Sequence, residues 1–154
     1  MKKIIILILL IISCMLATIH VQAEGEYKIS FIFQADNDFC IIDLRDPLGE
    51  SSYLEKLEIA PIIINGELFL PLKDFAKMMG GKIYWDSEKK KIGMSFQGDG
   101  IKFEFWLGKS PYIILSDEKV MLSLKFVIEN LLPSDVKKNE KLKIVILTWP
   151  LSIN

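Results

Sequence analysis

The chain has 154 residues, a formal net charge of −1 at pH 7 and 51% hydrophobic residues, which fits one globular domain. Lys and Glu are scattered along the sequence and form no basic stripe. This pattern argues against nucleic-acid binding, which depends on clustered Lys and Arg.

The first residues have the layout of a secretory signal. Met1-Lys2-Lys3 is followed by the apolar run Ile4 to Ile12 and then by Val21-Gln22-Ala23. A basic start, an apolar stretch and small residues before the cut predict a signal peptide at residues 1–23, cleaved after Ala23. Residues 24–154 are then a single exported domain, extracellular or at the cell surface.

Cys14 offers an alternative end to this segment. Ile11-Ile12-Ser13-Cys14 resembles a bacterial lipobox, in which the cysteine is lipidated and retained. The chain stays apolar at Met15 and Leu16, whereas lipoproteins usually turn polar there. An uncleaved anchor is the third alternative. All three place residues 24–154 outside the cytoplasm, and no second run reaches the roughly 18 apolar residues of a spanning helix.

Cleavage after Ala23 would leave one cysteine, Cys40, and no histidine, because His20 lies in the removed segment. One thiol forms no internal disulfide, and Cys40 in the run FCII fits a buried small hydrophobe. Without histidine the chain has no Ser-His-Asp or Cys-His site and no His-rich copper centre. The sequence therefore predicts no catalytic residues, no cofactor and no metal site.

Two acidic patterns leave weaker alternatives open. Paired acids, Asp36 with Asp38 or Asp86 with Glu104, would suit a carboxylate-based glycoside hydrolase only if they faced each other across a cleft. The sequence Asp36-Asn37-Asp38 starts like a calcium loop but lacks the glycine and the acid that such loops carry at positions six and twelve. We interpret it as a solvated turn.

The first strands follow from alternation and turns. Apolar residues occupy every second position from Tyr27 to Phe33, and Phe39 to Leu44 is rich in isoleucine, so both predict strands. Ala35 to Asp38 predicts the turn between them. Asp46-Pro47-Leu48-Gly49 predicts another turn, followed by a surface loop to Tyr53.

A hairpin and a helix come next. Asn65-Gly66 between two apolar runs predicts a type I′ hairpin turn, whose two central residues need positive φ. Pro71 is predicted at the first helical position. One apolar helical stripe is then formed by Leu72, Phe75, Ala76 and Met79, and Gly80-Gly81 is predicted to end the helix.

Three more strands are predicted at residues 82–85, 91–96 and 101–107, with Gly98-Asp99-Gly100 as a hairpin turn between the last two. Alternation in the last strand puts Phe103 and Phe105 on one face and Trp106 on the other. Trp106 is therefore the leading candidate for an exposed ligand contact, with Tyr112 as a second. Trp85 is predicted to be structural, packing near the end of the first helix, and Asp86 to start the following turn.

The second half repeats this order in degraded form. Leu124, Val127, Ile128 and Leu131 form a second stripe, each 52 positions after its counterpart in the first. Pro133 is predicted to stop this helix, and residues 142–149 to form the closing strand. The predicted fold is α+β: antiparallel strands packed on two short amphipathic helices, from a duplicated strand-turn-strand-helix-strand unit. The repeats span about residues 61–96 and 111–149.

These residues resemble a known family. Asn65-Gly66, Pro71-Leu72-Lys73, Gly80 and Trp85-Asp86 match the pattern N-G-R-x-x-V-P-L-R-x-I-A-E-A-L-G-A-x-V-x-W-D of the copper amine oxidase N-terminal-like domain, the stalk domain of bacterial exported proteins. The segment 119–131 is similar to the start of a second copy. Glu67 and Asp74 depart from the pattern. The likeness is best over residues 61–131.

The resemblance implies location and fold more than chemistry, since this module carries neither the copper nor the quinone of the oxidase. It implies a non-enzymatic binding or scaffold module at the bacterial cell surface. The partner is then an envelope protein or a cell-wall polymer, and a wall-glycan or polysaccharide binder is the alternative within the same class. A glycan binder would need exposed, coplanar aromatic side chains.

Overall fold

The computed structural model describes residues 26–96 and 102–151. The described elements are the strands β1 (Lys28–Gln34), β2 (Phe39–Asp46), β3 (Gly49–Lys56), β4 (Ile62–Ile64) and β5 (Glu67–Pro71), the helix α1 (Leu72–Met78), the strands β6 (Gly81–Asp86), β7 (Lys91–Phe96), β8 (Lys102–Trp106), β9 (Ile113–Ser116) and β10 (Lys119–Ser123), the helix α2 (Leu124–Asn130), and the strands β11 (Asp135–Asn139) and β12 (Ile144–Pro150). The predicted signal peptide and Cys14 lie outside the described residues, as does the turn predicted at Gly98-Asp99-Gly100.

The strands form three antiparallel sheets. Five strands lie in the order β11-β12-β1-β2-β3, four in the order β4-β5-β10-β9, and three in the order β6-β7-β8. Two short helices follow β5 and β10 directly. The predicted α+β class, with mostly antiparallel strands and two short helices, is confirmed.

Alternation along β1 and β12 builds one side of the core. Phe31 and Phe33 of β1 are buried, and they pair across the sheet with Leu147 and Val145 of β12, which are also buried. Successive side chains of a strand point to opposite faces, so the intervening residues lie on the outer face. The predicted alternation at residues 27–33 is thus confirmed.

The hairpin predicted at Asn65-Gly66 is confirmed. Asn65 has φ 52° and Gly66 has φ 80°, and the two residues join β4 to β5. Asp117 and Glu118 join β9 to β10 with φ 47° and 63°. Asp and Glu occupy the left-handed region at some cost, which glycine avoids. The second hairpin therefore has two turn residues with positive φ, like the first, but lacks the Asn-Gly pair that usually occupies such a turn.

Both predicted helices are present. Pro71 differs from the prediction: it is the last residue of β5 and the N-cap of α1, with φ −61° and ψ 112°. The fixed φ of proline suits both the N-cap and the first helical position, but the extended ψ places Pro71 outside the helix. Gly80, with φ 70°, follows the last turn of α1, as predicted. Ser123 replaces the proline at α2, where its Oγ accepts a hydrogen bond from the Phe126 N–H at 3.3 Å.

The helical stripes supply the rest of the core. Leu72, Phe75 and Ala76 of α1 are buried, as are Leu124 and Val127 of α2. Ile128 and Leu131 are half-buried. Phe126 of α2 is buried although the predicted stripe does not include it, and it contacts the rings of Phe103, Phe105 and Tyr112.

Two strands were not predicted. The polar segment expected to be a surface loop forms most of β3, which pairs with β2 from Asp46↔Gly49 to Phe39↔Lys56. β11 pairs with β12 in the same sheet. Both are edge strands with mainly exposed side chains, so backbone hydrogen bonds hold them and no apolar alternation indicates them.

The central pairing relates the two halves of the chain. Leu70 of β5 lies opposite Leu122 of β10, Pro71 opposite Met121, and Phe69 opposite Ser123. Each half continues from this pair directly into its helix, and Leu72 and Leu124, the first helical residues, are 52 positions apart. In the sheet order β4-β5-β10-β9, the two hairpins therefore lie side by side, with their second strands, β5 and β10, paired at the centre.

Candidate functional site

The outward face of the β6-β7-β8 sheet carries the exposed aromatic cluster. Tyr84 of β6, Gly93 of β7 and Glu104 of β8 lie in one cross-strand row, and Lys91 and Trp106 lie together in the next. A Cβ atom added to Gly93 would come within 1.9 Å of the Tyr84 ring. The ring therefore lies flat on the backbone of β7, in space that only glycine leaves open. We call these five residues the outer aromatic face.

Polar contacts fix the outer aromatic face. The Tyr84 hydroxyl donates to Oε1 of Glu104 at 3.3 Å, and Lys91 Nζ donates to Oε2 of Glu104 at 2.9 Å. Lys91 holds the pKa of Glu104 below its usual range. Partial burial and the Glu104 carboxylate raise the pKa of Tyr84. Glu104 is thus ionised and Tyr84 neutral at neutral pH.

Trp106 lies where the alternation of β8 predicts, on the outward face, and is 44% exposed. Lys91 Nζ lies 4.4 Å from the ring centroid and Lys109 Nζ lies 5.6 Å from it. Ammonium groups at these distances attract the ring electrostatically. The outward face therefore combines two aromatic rings, two lysines and the Glu104 carboxylate on an open sheet surface, with Asp86 in the same cross-strand row as Lys91 and Trp106.

Tyr112, the second predicted contact, and Trp149 lie elsewhere. The half-buried Tyr112 packs against Phe126, with ring centroids 5.3 Å apart, at the edge of the core. The structure does not place it with Trp106 on the outer aromatic face. Trp149 is buried: its Nε1–H donates to the Leu131 carbonyl at 2.8 Å, and its ring contacts Phe31.

Trp85, which was predicted to pack near the end of α1, is 51% exposed, so about half of its surface is open to solvent. It lies on the edge strand β6 opposite Ile92 of β7, on the face away from Tyr84. An edge strand has a neighbour on one side only, which leaves a large ring partly open to solvent. Asp86 ends β6, and its Oδ1 accepts the Lys89 N–H at 3.0 Å in the predicted turn.

A second polar cluster, missed from the sequence, surrounds Glu58 in the linker between β3 and β4. Its carboxylate accepts hydrogen bonds from Lys73 of α1 and from Lys119 of β10, the latter at 3.1 Å. Its backbone N–H donates to Oδ2 of Asp74 at 2.8 Å. We call Glu58, Lys73, Asp74 and Lys119 the Glu58 cluster. No periodic signal relates Glu58 to the other three residues, which are 15 to 61 positions away.

Opposite pKa shifts mark the two carboxylates of the Glu58 cluster. Lys73 and Lys119 lower the pKa of Glu58, whereas burial raises that of Asp74. The cluster lines a cavity of about 770 Å³. Glu58 is held by two lysines and Asp74 by the Glu58 N–H, so both carboxylates anchor the β3–β4 linker to α1 and β10.

A second cavity, of about 700 Å³, lies at the corresponding position of the other half. Its lining includes Gly66, Glu67, Leu68, Leu124 and Lys125; the residues 52 positions away, Glu118, Lys119, Val120, Leu72 and Lys73, line the first cavity. The two linings carry opposite charges at one equivalent position, because Glu67 stands where the other half has Lys119. The Glu67 carboxylate accepts a hydrogen bond from Ser123.

The remaining candidates for chemistry are accounted for by local contacts. Asp36 pairs with Lys143 at 2.9 Å and Asp38 with Lys56 at 3.9 Å. Burial of Cys40 raises the pKa of its thiol to about 12. Within residues 26–96 and 102–151, no group of three His, Cys, Asp or Glu side chains is placed to hold a metal ion. In the same part of the chain, neither helix has the length and apolar character needed to cross a membrane.

Comparison with known proteins identifies one family. Residues 50–113 match the family model of the copper amine oxidase N-terminal domain, from the start of β3 to the start of β9. This confirms the resemblance predicted from Asn65 to Asp86, while the second copy predicted at residues 119–131 lies beyond the match. Comparison with curated proteins and with solved structures finds no match. Residues 50–113 of the chain are therefore similar to the copper amine oxidase N-terminal domain.

Proposed function

We propose that the chain is an exported, non-enzymatic binding or scaffold module of the stalk type at the bacterial cell surface. The observation that carries the proposal is the family match at residues 50–113, because the N-terminal domain of copper amine oxidase is non-catalytic. The signal pattern of residues 1–23 supports export. The partner is an envelope protein or a cell-wall polymer.

We also propose that the module arose by duplication of a strand-turn-strand-helix-strand unit within one domain at residues 24–154. The 52-position spacing of the hairpin turns, helix starts and cavity linings supports this interpretation. Two related halves with different surface charges would give one small scaffold two unlike faces. A scaffold can use such faces to hold two partners.

A glycoside hydrolase is a poor fit to the acids that the sequence singled out. Asp86 and Glu104 share the outward face of the β6-β7-β8 sheet, with Lys91 on the strand between them. The backbone N–H and the charge of Lys89 lower the pKa of Asp86, and the hydrogen bond and charge of Lys91 lower the pKa of Glu104. A hydrolase of this class needs one carboxyl group whose pKa is raised, so that it can donate a proton.

The outer aromatic face favours glycan binding as a second candidate function. Tyr84 lies flat on the sheet and is 39% exposed, and Trp106 is exposed on the same face. A flat ring presents an apolar surface on which the CH face of a sugar can stack. The nearby Glu104 and Lys91 supply polar groups for hydroxyls. The second aromatic contact on this face is therefore Tyr84, whereas the sequence-based prediction named Tyr112.

Co-sedimentation of the chain with purified bacterial cell wall, and with wall stripped of its attached polymers, tests the glycan candidate. Trp106→Ala is compared with Trp85→Ala, which removes an indole of similar exposure, 51% against 44%, from the opposite face. Retention of the wild type and of Trp85→Ala, with loss of Trp106→Ala, would support glycan binding. Equal retention of both variants, or no retention of the wild type, would exclude this face as a glycan site.

Cross-linking on intact cells tests the protein-scaffold function. A membrane-impermeant amine-reactive reagent reaches exposed lysines, which include Lys73, Lys77 and Lys125. The proposal predicts an adduct between this chain and a different envelope protein. Absence of such an adduct, together with absence of wall binding, would contradict a binding role.

A further inference from the structure

β3 is an open edge of the five-stranded sheet. Its eight residues pair with β2 on one side, and none of the described strands pairs with it on the other. The Leu57 N–H donates to the Asp38 carbonyl at 2.8 Å, which fixes the phase of the β2–β3 ladder. Alternate residues of an antiparallel strand point their backbone groups to opposite sides. Glu50, Ser52, Leu54 and Lys56 therefore direct their N–H and C=O groups toward the open edge.

The opposite edge of the same sheet has a different character. β11 carries Asp135, Lys137 and Lys138 within five residues, and charged side chains, lysine above all, discourage pairing with another strand. The centre of β3, Ser51 to Leu54, has no charge. Its charged residues are Glu50, near one end, and Glu55 and Lys56, at the other. β3 is thus the less protected edge.

An apolar row crosses the outer face of this sheet and ends at β3. Ile146 of β12 lies beside Ile32 of β1, which lies beside Ile41 of β2 and then Leu54 of β3. Leu54 is 66% exposed and Ile41 is 37% exposed. A strand added at the open edge would cover part of Leu54 and continue the row.

We propose that two copies of this chain associate by antiparallel pairing of their β3 strands about a two-fold axis at Tyr53. The inference goes beyond the proposed function and does not depend on it. In this register Glu50 of each copy lies opposite Lys56 of the other, and Ser52 lies opposite Leu54. Every hydrogen-bonded pair then joins residues that face the open edge, about eight bonds in all.

Charge complementarity selects this register. Pairing centred on Ser52 sets Glu50 opposite Leu54, and pairing centred on Leu54 sets Ser52 opposite Lys56, so neither brings the two charges together. Only the Tyr53-centred register forms the Glu50–Lys56 pair, and the two-fold axis forms it twice. Opposite charges that face each other across strands stabilise the pairing, and like charges destabilise it. The assembly also stops at two copies, because a two-fold contact uses the same strand on both copies and leaves no open β3 edge for a third.

A charge-swap experiment tests the proposal. The full chain is expressed and is purified in whatever processed form the expression host produces. Sedimentation equilibrium is expected to show a dimer for the wild type. Glu50→Lys alone and Lys56→Glu alone each place like charges opposite one another twice, and are expected to weaken self-association by on the order of tenfold. An equal mixture of the two variants restores both opposite-charge pairs and is expected to form the dimer again. Thermal melts report whether each variant is folded.

Disulfide trapping tests the register independently. Tyr53 lies opposite its own copy in a closely spaced pair, with Cα atoms about 4.5 Å apart, so Tyr53→Cys is expected to form a covalent dimer on mild oxidation. Ser51→Cys is the matched control on the same strand face. The two copies of position 51 lie about 13 Å apart in this register, too far for a disulfide. Native Cys40 is buried and does not interfere.

A wild type that stays monomeric throughout the sedimentation experiment would overturn the proposal, because the β3 strands of two copies would then not pair in solution. A dimer that neither single charge variant weakens would place the interface elsewhere. Equal cross-linking at positions 51 and 53 would contradict the register.

Discussion

Phe75 is a core residue whose removal should strongly destabilise the fold. It is fully buried in α1, and its ring centroid lies 6.3 Å from that of Phe33 and 6.4 Å from that of Trp149. Phe75→Ala removes the ring that joins α1 to β1 and β12, and leaves a cavity that the rigid sheet cannot close. Truncations of this kind cost about 3 to 5 kcal/mol, the lost transfer free energy and the cavity together.

Urea unfolding followed by circular dichroism measures this loss as a shift of the midpoint at constant slope. Phe39→Ala is the matched control, because Phe39 is the same side chain at 41% exposure on β2. It is expected to cost clearly less than Phe75→Ala, since 41% of its surface stays exposed to water in the folded protein. A loss below about 1 kcal/mol for Phe75→Ala, or equal losses for both variants, would refute the assignment of Phe75 to the centre of the core.

Three further predictions concern the second helix, the Glu58 cluster and the buried thiol. Leu124→Asp should lower the melting temperature as much as Leu72→Asp, since both leucines are buried first residues of their helices; an unchanged melt for Leu124→Asp alone would contradict equivalent roles. Glu58→Gln should destabilise the protein at pH 7, because its two lysines depress the folded-state pKa of Glu58. This difference should shrink as pH falls below the unfolded value of 4.5 and through the lower folded value, and a pH-independent difference would argue against the ion pairs. Cys40 should resist a thiol reagent at pH 8 until urea unfolds the chain. Stability should also fall above pH 9.0, where the unfolded chain releases a proton that the folded thiol keeps until about pH 12; labelling of the native protein within minutes would show that the thiol is accessible.

The sequence predicted the parts of the fold that have a periodic or turn signal. Alternation indicated β1 and β8, the Asn65-Gly66 pair indicated the first hairpin, and the apolar stripes indicated both helices. Trp106 was placed on the outward face by alternation alone. These features depend on residues that are close in sequence, so one amino-acid sequence is enough to predict them.

The missed features depend on contacts between distant residues. β3 and β11 are held by backbone pairing to neighbours, with exposed polar side chains that give no alternation. The exposure of Trp85 follows from the edge position of β6, which is a property of the sheet order. Glu58 reaches Lys119, 61 positions away, and no local pattern encodes that contact. Tyr84 lies flat because Gly93 pairs with it across the sheet, and this register is visible only in the fold.

Export is the central claim, and the location and N-terminus of the chain in a bacterial culture test it most directly. The full chain is expressed with its own N-terminal segment, the cells are fractionated, and the intact mass and first residue of the recovered protein are determined. We predict a chain that begins at Glu24, in the medium or the envelope fraction. A lipid-modified chain beginning at Cys14, or an uncleaved chain in the membrane, would change the form of anchoring and leave export intact. A cytoplasmic chain that begins at Met1 would contradict the account.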